Sequence, residues 1–283
     1  MKNVAFIINP FSAKKNYQSF LEALQKKVDH PNFYISKSLA GTEKFIKDHF
    51  DQTDIFVAVG GDGTISSVAK QLINTGKILA IFPAGSGNGF SNENHFTKNL
   101  DDLLAKIKGN QFREIDTFKV NDRLSINVSG TGFDGKVVKQ FEKTSRGFKN
   151  YIKTSIKTFF NFNPIEVKFK ADELKKYDGE YLMLNVANTR QFGNNAYIAP
   201  HASTVDGLVE IVLVKKFPLY YGALFAVRMF SKNLKEDQYV TYLSVPELEF
   251  TVNTDDWHLD GEYNEISSPI QIKVLPNSLK ILI

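Results

Sequence analysis

Cysteine is absent from the 283-residue sequence, which excludes disulfide scaffolds, thiolate metal sites and a cysteine nucleophile, and is compatible with a reducing cytosol. Long apolar runs are missing as well. The first ten residues carry only the short segment Val4–Ile8, too brief for a signal-peptide core, and no other run reaches the roughly 18–20 residues of a spanning helix. A cytoplasmic protein is therefore expected, either soluble or peripheral to a membrane. The histidines His30, His49, His95, His201 and His258 have no ligand-like spacing, so a histidine metal cluster is not expected. Charge of one sign is not in large excess either: a formal net charge of +4 gives no bulk argument for a nucleic-acid partner. No internal repeat or low-complexity linker breaks the chain. What is present, 42% hydrophobic and 23% charged residues, suits globular domains, and the length favours two of them.

The stretch with the clearest chemistry is Gly60-Gly61-Asp62-Gly63-Thr64. It follows the β-branched run Ile55–Val59 and precedes Ile65, Val68, Ala69, Leu72 and Ile73 at helical spacing, so it reads as strand, glycine turn, helix. Glycines at a strand's carboxyl end permit positive φ and close approach to the main chain, and the amides of a starting helix face an anion. Asp62 would repel a bare phosphate, yet fits if a divalent cation lies between them. The turn therefore reads as a nucleotide and metal site. Taken alone it is also an ordinary tight loop.

The rest of the first half supports an α/β reading. Val4–Ile8 predicts a strand, followed by a polar loop from Asn9 to Asn16 and a helix with Tyr17, Phe20, Leu21, Leu24 and Val28 on one face. A second strand over Phe33–Ile35 ends at Ser36–Ser38, and a helix starts near Thr42. A fourth strand, Ile78–Phe82, is closed by Pro83-Ala84-Gly85-Ser86-Gly87-Asn88-Gly89. Strands alternating with helices imply a parallel sheet whose carboxyl-end loops converge on a ligand. The second glycine loop has part of a dinucleotide fingerprint, but it does not follow the first strand, its third glycine is misplaced, and the polar residues after it do not predict a packed helix.

Beyond a helix around Leu100–Ile107 the pattern turns to strands: Phe118–Val120, Leu124–Val128, Ile165–Phe169, Tyr181–Ala187, Val209–Val214, Leu248–Val252, Asp256–Leu259, Ile270–Val274 and Lys280–Ile283. With helices only over Lys136–Phe160 and Leu219–Lys232, this predicts an antiparallel β-sandwich. The expected organisation is thus an N-terminal parallel-sheet α/β domain over 1–120 and a C-terminal β-sandwich over 121–283. Lys136, Lys139, Lys143, Arg146, Lys149, Lys153 and Lys157, interleaved with Phe141, Phe148, Tyr151, Phe159 and Phe160 and opposed only by Glu142, read either as a solvated helix face or as a surface for anionic lipid headgroups.

The ordered landmarks now resemble those of the diacylglycerol kinase and sphingosine kinase superfamily of lipid kinases. These are Asn9-Pro10, Gly60–Thr64, Pro83–Asn88, Gly132-Phe133-Asp134, Pro200 leading to Asp206-Gly207-Leu208, and Asp260-Gly261-Glu262. The resemblance implies an ATP- and Mg²⁺-dependent kinase that phosphorylates a lipid alcohol at a transient membrane surface, with ATP in a cleft between the two domains. Position by position it implies nucleotide contacts at Asn9, Ser12, Ser38, Gly60, Gly61, Asp62, Gly63, Thr64, Ile65, Ser66, Ser86 and Asn88. It implies a metal site at Ser203, Asp206 and Leu208, a proton acceptor at Glu262 with Asp260 and Asp62 nearby, and recognition of the acceptor's polar head by Asp134. Such carboxylates suit the chemistry, because a lipid hydroxyl is weakly nucleophilic and must lose its proton as the phosphoryl group transfers.

Two positions depart from the family pattern. Members that act on diacylglycerol usually carry Asn-Asp where this chain has Asn88-Gly89, a form that resembles the sphingosine branch, and Ser38 stands where threonine is more common. The departures leave the acceptor open between diacylglycerol, a sphingoid base and another lipid alcohol. Rival readings are a soluble-metabolite kinase of the NAD kinase type, which shares the Gly-Gly-Asp-Gly turn, and a non-catalytic nucleotide or lipid sensor. Oligomeric state is left open, a homodimer included. Without the family, Asp206-Gly207 and Asp260-Gly261-Glu262 each read as a hairpin turn.

Overall fold

A computed structural model describes residues 3–12, 17–141 and 148–283, the side chains of 148, 149, 151 and 152 excepted. Ala13–Asn16 of the expected polar loop, and Glu142, Lys143 and Arg146 of the basic stretch, lie outside the described residues. The chain divides into two units, Met1–Ile115 with Asn277–Ile283, and Asp116–Pro276. This differs from a single cut at Val120, because the last residues return to the first unit.

The first unit runs β1 (Val4–Ile8), α1 (Tyr17–Lys27), β2 (Asn32–Ile35), α2 (Leu39–Asp48), β3 (Ile55–Gly60), α3 (Asp62–Leu72), β4 (Ile78–Pro83), α4 (Gly89–Glu93) and α5 (Leu100–Gly109). Its strands lie in the order β2-β1-β3-β4 and all pair in parallel, as the alternation of strand and helix predicts. Every residue of β3 is buried, which is why that run lacks polar alternation. Phe6, Phe56, Ile65, Val68 and Leu24 fill the layers between sheet and helices. Residues after Asn88 do form a helix, the short α4, with Phe90 and Ser91 buried; its polar composition hid it, while the misplaced glycine still separates this loop from a dinucleotide fingerprint.

The second unit continues through β5 (Phe112–Val120), β6 (Arg123–Ser125), β7 (Val128–Gly132), α6 (Phe133–Phe141), α7 (Phe148–Asn161), β8 (Ile165–Phe169), β9 (Gly179–Tyr181), β10 (Met183–Ala187), β11 (Val209–Val214), α8 (Leu219–Phe230), β12 (Val240–Val245), β13 (Glu247–Val252), β14 (Asp256–Leu259), β15 (Glu262–Glu265) and β16 (Ile270–Leu282). One layer holds β12-β11-β10-β7-β14-β15, antiparallel throughout. The facing layer includes β9, β8, β13 and the first part of β16, also antiparallel. Phe118, Val167, Leu184, Ile211, Phe250, Trp257 and Ile272 fill the sandwich between them. On the outer side of the first layer, Val212 and Val214 pack with Phe217, Tyr221 and Phe225. The predicted strand Leu124–Val128 is broken at Ile126 and Asn127, whose backbone N–H groups turn away to Asp260. The two predicted C-terminal strands are one, β16: its early residues pair with β13, while Lys280 and Ile281 pair in parallel with Ile78 and Leu79 of β4. Among the described residues no helix is long and apolar enough to cross a membrane.

Candidate active site

In the first unit, β3 delivers its last residue, Gly60, directly into the start of α3. Gly61 is the N-cap, with extended backbone at φ −93° and no side-chain cap bond, so the positive end of the helix dipole carries no capping oxygen and is suited to an anion. The glycines here are not needed for positive φ, contrary to the first expectation: none of Gly60, Gly61 and Gly63 adopts it. Gly60 and Gly61 are needed for space. A Cβ on Gly60 would lie 2.5 Å from Thr64 Cβ, and a Cβ on Gly61 would lie 3.1 Å from Gly85 Cα. The turn is thereby pressed against the loop after β4.

That loop is held from inside. Asn88 adopts the left-handed conformation at φ 50°, and its amide folds back: Oδ1 accepts from Gly85 N at 3.0 Å and Nδ2 donates to Gly85 O at 2.9 Å. Asn88 is thus a buried staple of the loop, and exposed Ser86 at the tip is the member with a hydroxyl open to a ligand. Ala84 N donates to Gly60 O at 2.7 Å, which ties the loop to β3.

Asn9, after β1, donates from Nδ2 to Thr64 Oγ1 at 2.8 Å and accepts from Phe11 N at 2.9 Å, so it orients the first loop and the Thr64 hydroxyl together. Ser38 caps α2, its Oγ accepting from Gly41 N at 3.0 Å, and is exposed. Ile65 and Ser66 are buried, and the Ile65 N–H is committed to Gly61 O; Ile65 offers a nucleotide no side-chain contact. A cavity of about 340 Å³ opens at the carboxyl ends of β1, β3 and β4, lined among others by Asn9, Ser12, Val59, Ala84 and Lys98. A larger depression of about 860 Å³ beside Lys44 and Gln71 receives none of these strand-end loops.

In the second unit, Asp260 and Gly261 join β14 to β15 with φ of 53° and 86°. Both central residues are left-handed, as a two-residue hairpin turn requires. The hairpin reading of Asp-Gly-Glu therefore holds as geometry. The side chain of Asp260 does more: buried, its Oδ1 accepts from Ser125 Oγ at 2.6 Å and Asn127 N at 2.9 Å, with Ile126 N at 3.2 Å. Such a carboxylate is saturated with donors and latches the β6–β7 turn. Glu262, the first residue of β15, is exposed at the exit of the same turn. Of the two carboxylates it is the solvent-exposed one.

Asp134, in the first turn of α6, is 5% exposed and lies 3.0 Å by Oδ2 from Nε2 of His258, itself 2% exposed. Facing a carboxylate, Nε2 carries the proton and donates. Asn185, Gly130 and His258 are directly opposite one another on β10, β7 and β14. A Cβ on Gly130 would stand 2.6 Å from Asn185 Oδ1 and closer still to Asp134 Oδ2, so the glycine clears the space where these side chains meet. Among the described residues neither end of the Asn185 amide nor Nδ1 of His258 has a hydrogen-bond partner. His258 and Asn185 escaped the sequence reading. The available signals were a lone asparagine inside Met183–Ala187 and a histidine on the opposite strand face from Trp257 and Leu259.

Around the expected metal site, Asp206 Oδ1 accepts from Leu208 N at 3.1 Å, Ser203 Oγ accepts from Val205 N at 3.3 Å, and Asp116 Oδ2 accepts from Gly207 N at 2.7 Å. Among the described residues no group of three acidic or histidine side chains gathers for a metal ion. The basic stretch has a partner the local pattern could not reveal: Lys139 and Lys136 reach Asp256 at 2.6 and 3.3 Å.

Two protein families match successive parts of the chain. Residues 3–120 match the diacylglycerol kinase catalytic domain, and residues 127–283 match the YegS C-terminal NAD kinase beta sandwich-like domain. A diacylglycerol kinase of Bacillus subtilis (strain 168) is 26% identical over 279 residues, covering 93% of this chain and 90% of that protein. A Pseudomonas aeruginosa protein named "Probable lipid kinase YegS-like" is 29% identical over 231 residues, 80% of this chain and 75% of its own. The crystal structure of a diacylglycerol kinase from Bacillus anthracis str. Sterne superimposes with a TM-score of 0.74 at 18% identity, covering 99% of this chain and 96% of that one; at that identity the likeness is one of fold.

Proposed function

Because the chain belongs to the lipid-kinase family that joins a diacylglycerol kinase catalytic domain to a YegS-type β-sandwich, we propose that it transfers the γ-phosphoryl group of ATP to the hydroxyl of a membrane lipid, with diacylglycerol-like and sphingoid alcohols as the acceptor classes. The observation that carries this reading is the contrast between two carboxylates of one turn: Asp260 is buried and locked by backbone donors, while Glu262 two residues on is exposed, where an acceptor hydroxyl could reach it.

The phosphates of ATP would lie at the uncapped start of α3, against Gly61 and the Gly85–Ser86 tip, with Asn9 fixing Thr64. Asp62 at that helix start fits Mg²⁺, which takes one or two carboxylates plus substrate phosphates and does not need a cage of protein ligands. When bound, the ion would neutralise charge on the phosphate oxygens during transfer. Asp206, flanked by Asp116, fits a second and structural cation. Glu262 would take the proton from the acceptor hydroxyl, and Asp134, oriented by His258, would bind its polar head.

The test is transfer of labelled phosphate from ATP to a panel of lipid alcohols with Mg²⁺ present. Product with at least one lipid is expected; none with folded protein would overturn the proposal. A second reading, phosphorylation of NAD, is favoured by the NAD kinase-like character of the matched sandwich domain, and product formed from NAD alone would put it first.

A further inference from the structure

Helix α8 buries the wrong amount of its apolar surface for a helix that only covers a sheet. Its inner side is satisfied: Tyr221 and Phe225 are buried with Phe217 on the outer face of the β12–β15 layer. Yet Leu219, Tyr220, Leu224, Val227 and Phe230 are exposed by 61, 77, 43, 65 and 41%. At roughly 100° per residue these side chains, with exposed Ala223, fall within one arc of about 140° opposite the buried pair. A single surface leucine needs no explanation, whereas a continuous apolar stripe on a helix does.

The end of α7 adjoins this helix. Phe159 stacks on Phe217 with ring centroids 5.4 Å apart, and Lys216 Nζ donates to Phe162 O at 3.0 Å. Here too apolar side chains stay outside: Ile156 is 56% and Phe160 62% exposed. Neither helix contains an acidic residue. Lysines surround the apolar surface: Lys153 and Lys157 on α7, Lys215 and Lys216 before α8, and Lys232 and Lys235 after it, all exposed. Of the two acids that follow Lys235, Asp237 is engaged by Tyr221 Oη and Arg228, and Glu236 is exposed beside the lysine.

We propose that the outer face of α8, with the end of α7, is the surface by which this protein docks on an anionic lipid bilayer. The inference rests on the lipid-acceptor reading above and adds the site of docking to it. An apolar stripe rimmed by lysine is the composition of a helix that lies in the bilayer interface, apolar side chains among the acyl chains and ammonium groups at the headgroups. A second copy of the chain fits poorly, because a two-fold contact would set lysine rim against lysine rim.

The experiment measures sedimentation with sucrose-loaded vesicles of phosphatidylcholine, with and without phosphatidylglycerol, using the full chain. The wild type should bind the anionic vesicles and lose binding as salt rises. The combined variant Tyr220→Gln, Leu224→Gln, Val227→Gln should lose roughly tenfold or more of that binding, and Lys232→Ala with Lys235→Ala should lose binding to anionic vesicles selectively. All these side chains are exposed, so melting temperatures should match the wild type. Each protein is also assayed on a short-chain diacylglycerol dispersed as monomer, where the α8 variants should retain wild-type turnover. Vesicle binding unchanged in both variants would overturn the docking face, as would capture by an acidic protein together with indifference to anionic vesicles. Vesicle binding with no lipid phosphorylated would sustain the docking face and remove the kinase acceptor reading.

Discussion

Gly61 and Gly85 meet backbone to backbone: a Cβ placed on Gly85 would stand 2.5 Å from Gly61 Cα and 2.9 Å from Asn88 Oδ1, whereas one on Gly61 would find 3.1 Å to Gly85 Cα. The two alanine variants should therefore differ. Gly85→Ala forces the loop off the turn and strains the Asn88 staple, for a cost of about 1–3 kcal/mol, and should weaken binding of a non-hydrolysable ATP analogue more than Gly61→Ala does. Calorimetric titration of both variants checks the order; equal affinities would mean that the two loops do not shape the nucleotide site together.

Asp260 and Glu262 are chemically alike and structurally opposite, and their variants should separate by what they damage. Asp260→Ala takes the acceptor from the buried N–H groups of Ile126 and Asn127, each costing about 1–3 kcal/mol, and should show as a lowered Tm. Glu262→Gln should leave Tm and ATP affinity as they are and lower kcat by about 10²–10⁴. A Glu262→Gln enzyme with full kcat would assign the base elsewhere.

Asp134 and His258 are both buried, with a small part of Asp134 still at the surface. His258→Ala leaves the buried Asp134 carboxylate with Gly135 N as donor to Oδ1 and removes the donor to Oδ2, a loss of about 1–3 kcal/mol. Asp134→Asn keeps a hydrogen-bond acceptor for His258 while removing the charge, so it should fold better than His258→Ala and yet raise KM for the lipid without changing KM for ATP. Steady-state kinetics with each substrate varied distinguishes this from a purely structural role.

Lys139 and Asp256 give the second unit a pH signature. Burial raises the Asp256 carboxyl, but hydrogen bonds from Lys139, Tyr263 and Lys136 outweigh it and hold it below the ordinary 3.8. Lys139 is raised above the ordinary 10.5, chiefly by its bond to Asp256 and then by Tyr263. A depressed acid stabilises above its unfolded value and loses that contribution as pH falls through its folded one; a raised base does so below its unfolded value and loses it as pH rises. The stability difference between wild type and Lys139→Met should thus be level from about pH 5 to 9 and shrink in acid. Lys139 is partly exposed, so the difference should be small and fall further with salt. Urea titrations across pH measure it.

The parallel sheet was legible because β3 is apolar at every position and each glycine loop directly follows a strand. The sandwich was legible in outline, but Leu124–Val128 was not, since its break depends on Asp260, which is distant in sequence. Of the two properties expected of the turn glycines, positive φ is absent and close approach is present, its partner at Gly61 being the backbone of a different loop. Nothing near His258 in the sequence signals a partner; only the fold puts Asp134 against it. The lysines of α6 looked unopposed since Asp256, their partner, comes from β14. In each case the missing information was a contact between distant segments, which local spacing does not encode.

The return of residues 277–283 to the first unit has a consequence for biosynthesis. Lys280 and Ile281 supply the parallel neighbour of β4, and Ser278 O accepts the N–H of Asn74 after α3. The first unit therefore emerges from the ribosome before the second but lacks a strand until the whole sandwich has been translated. Ordinarily an N-terminal domain can finish folding early; here a nascent chain stalled anywhere before β16 would hold β4 with an open edge, and a nucleotide analogue should bind stalled complexes only after that strand has cleared the exit tunnel.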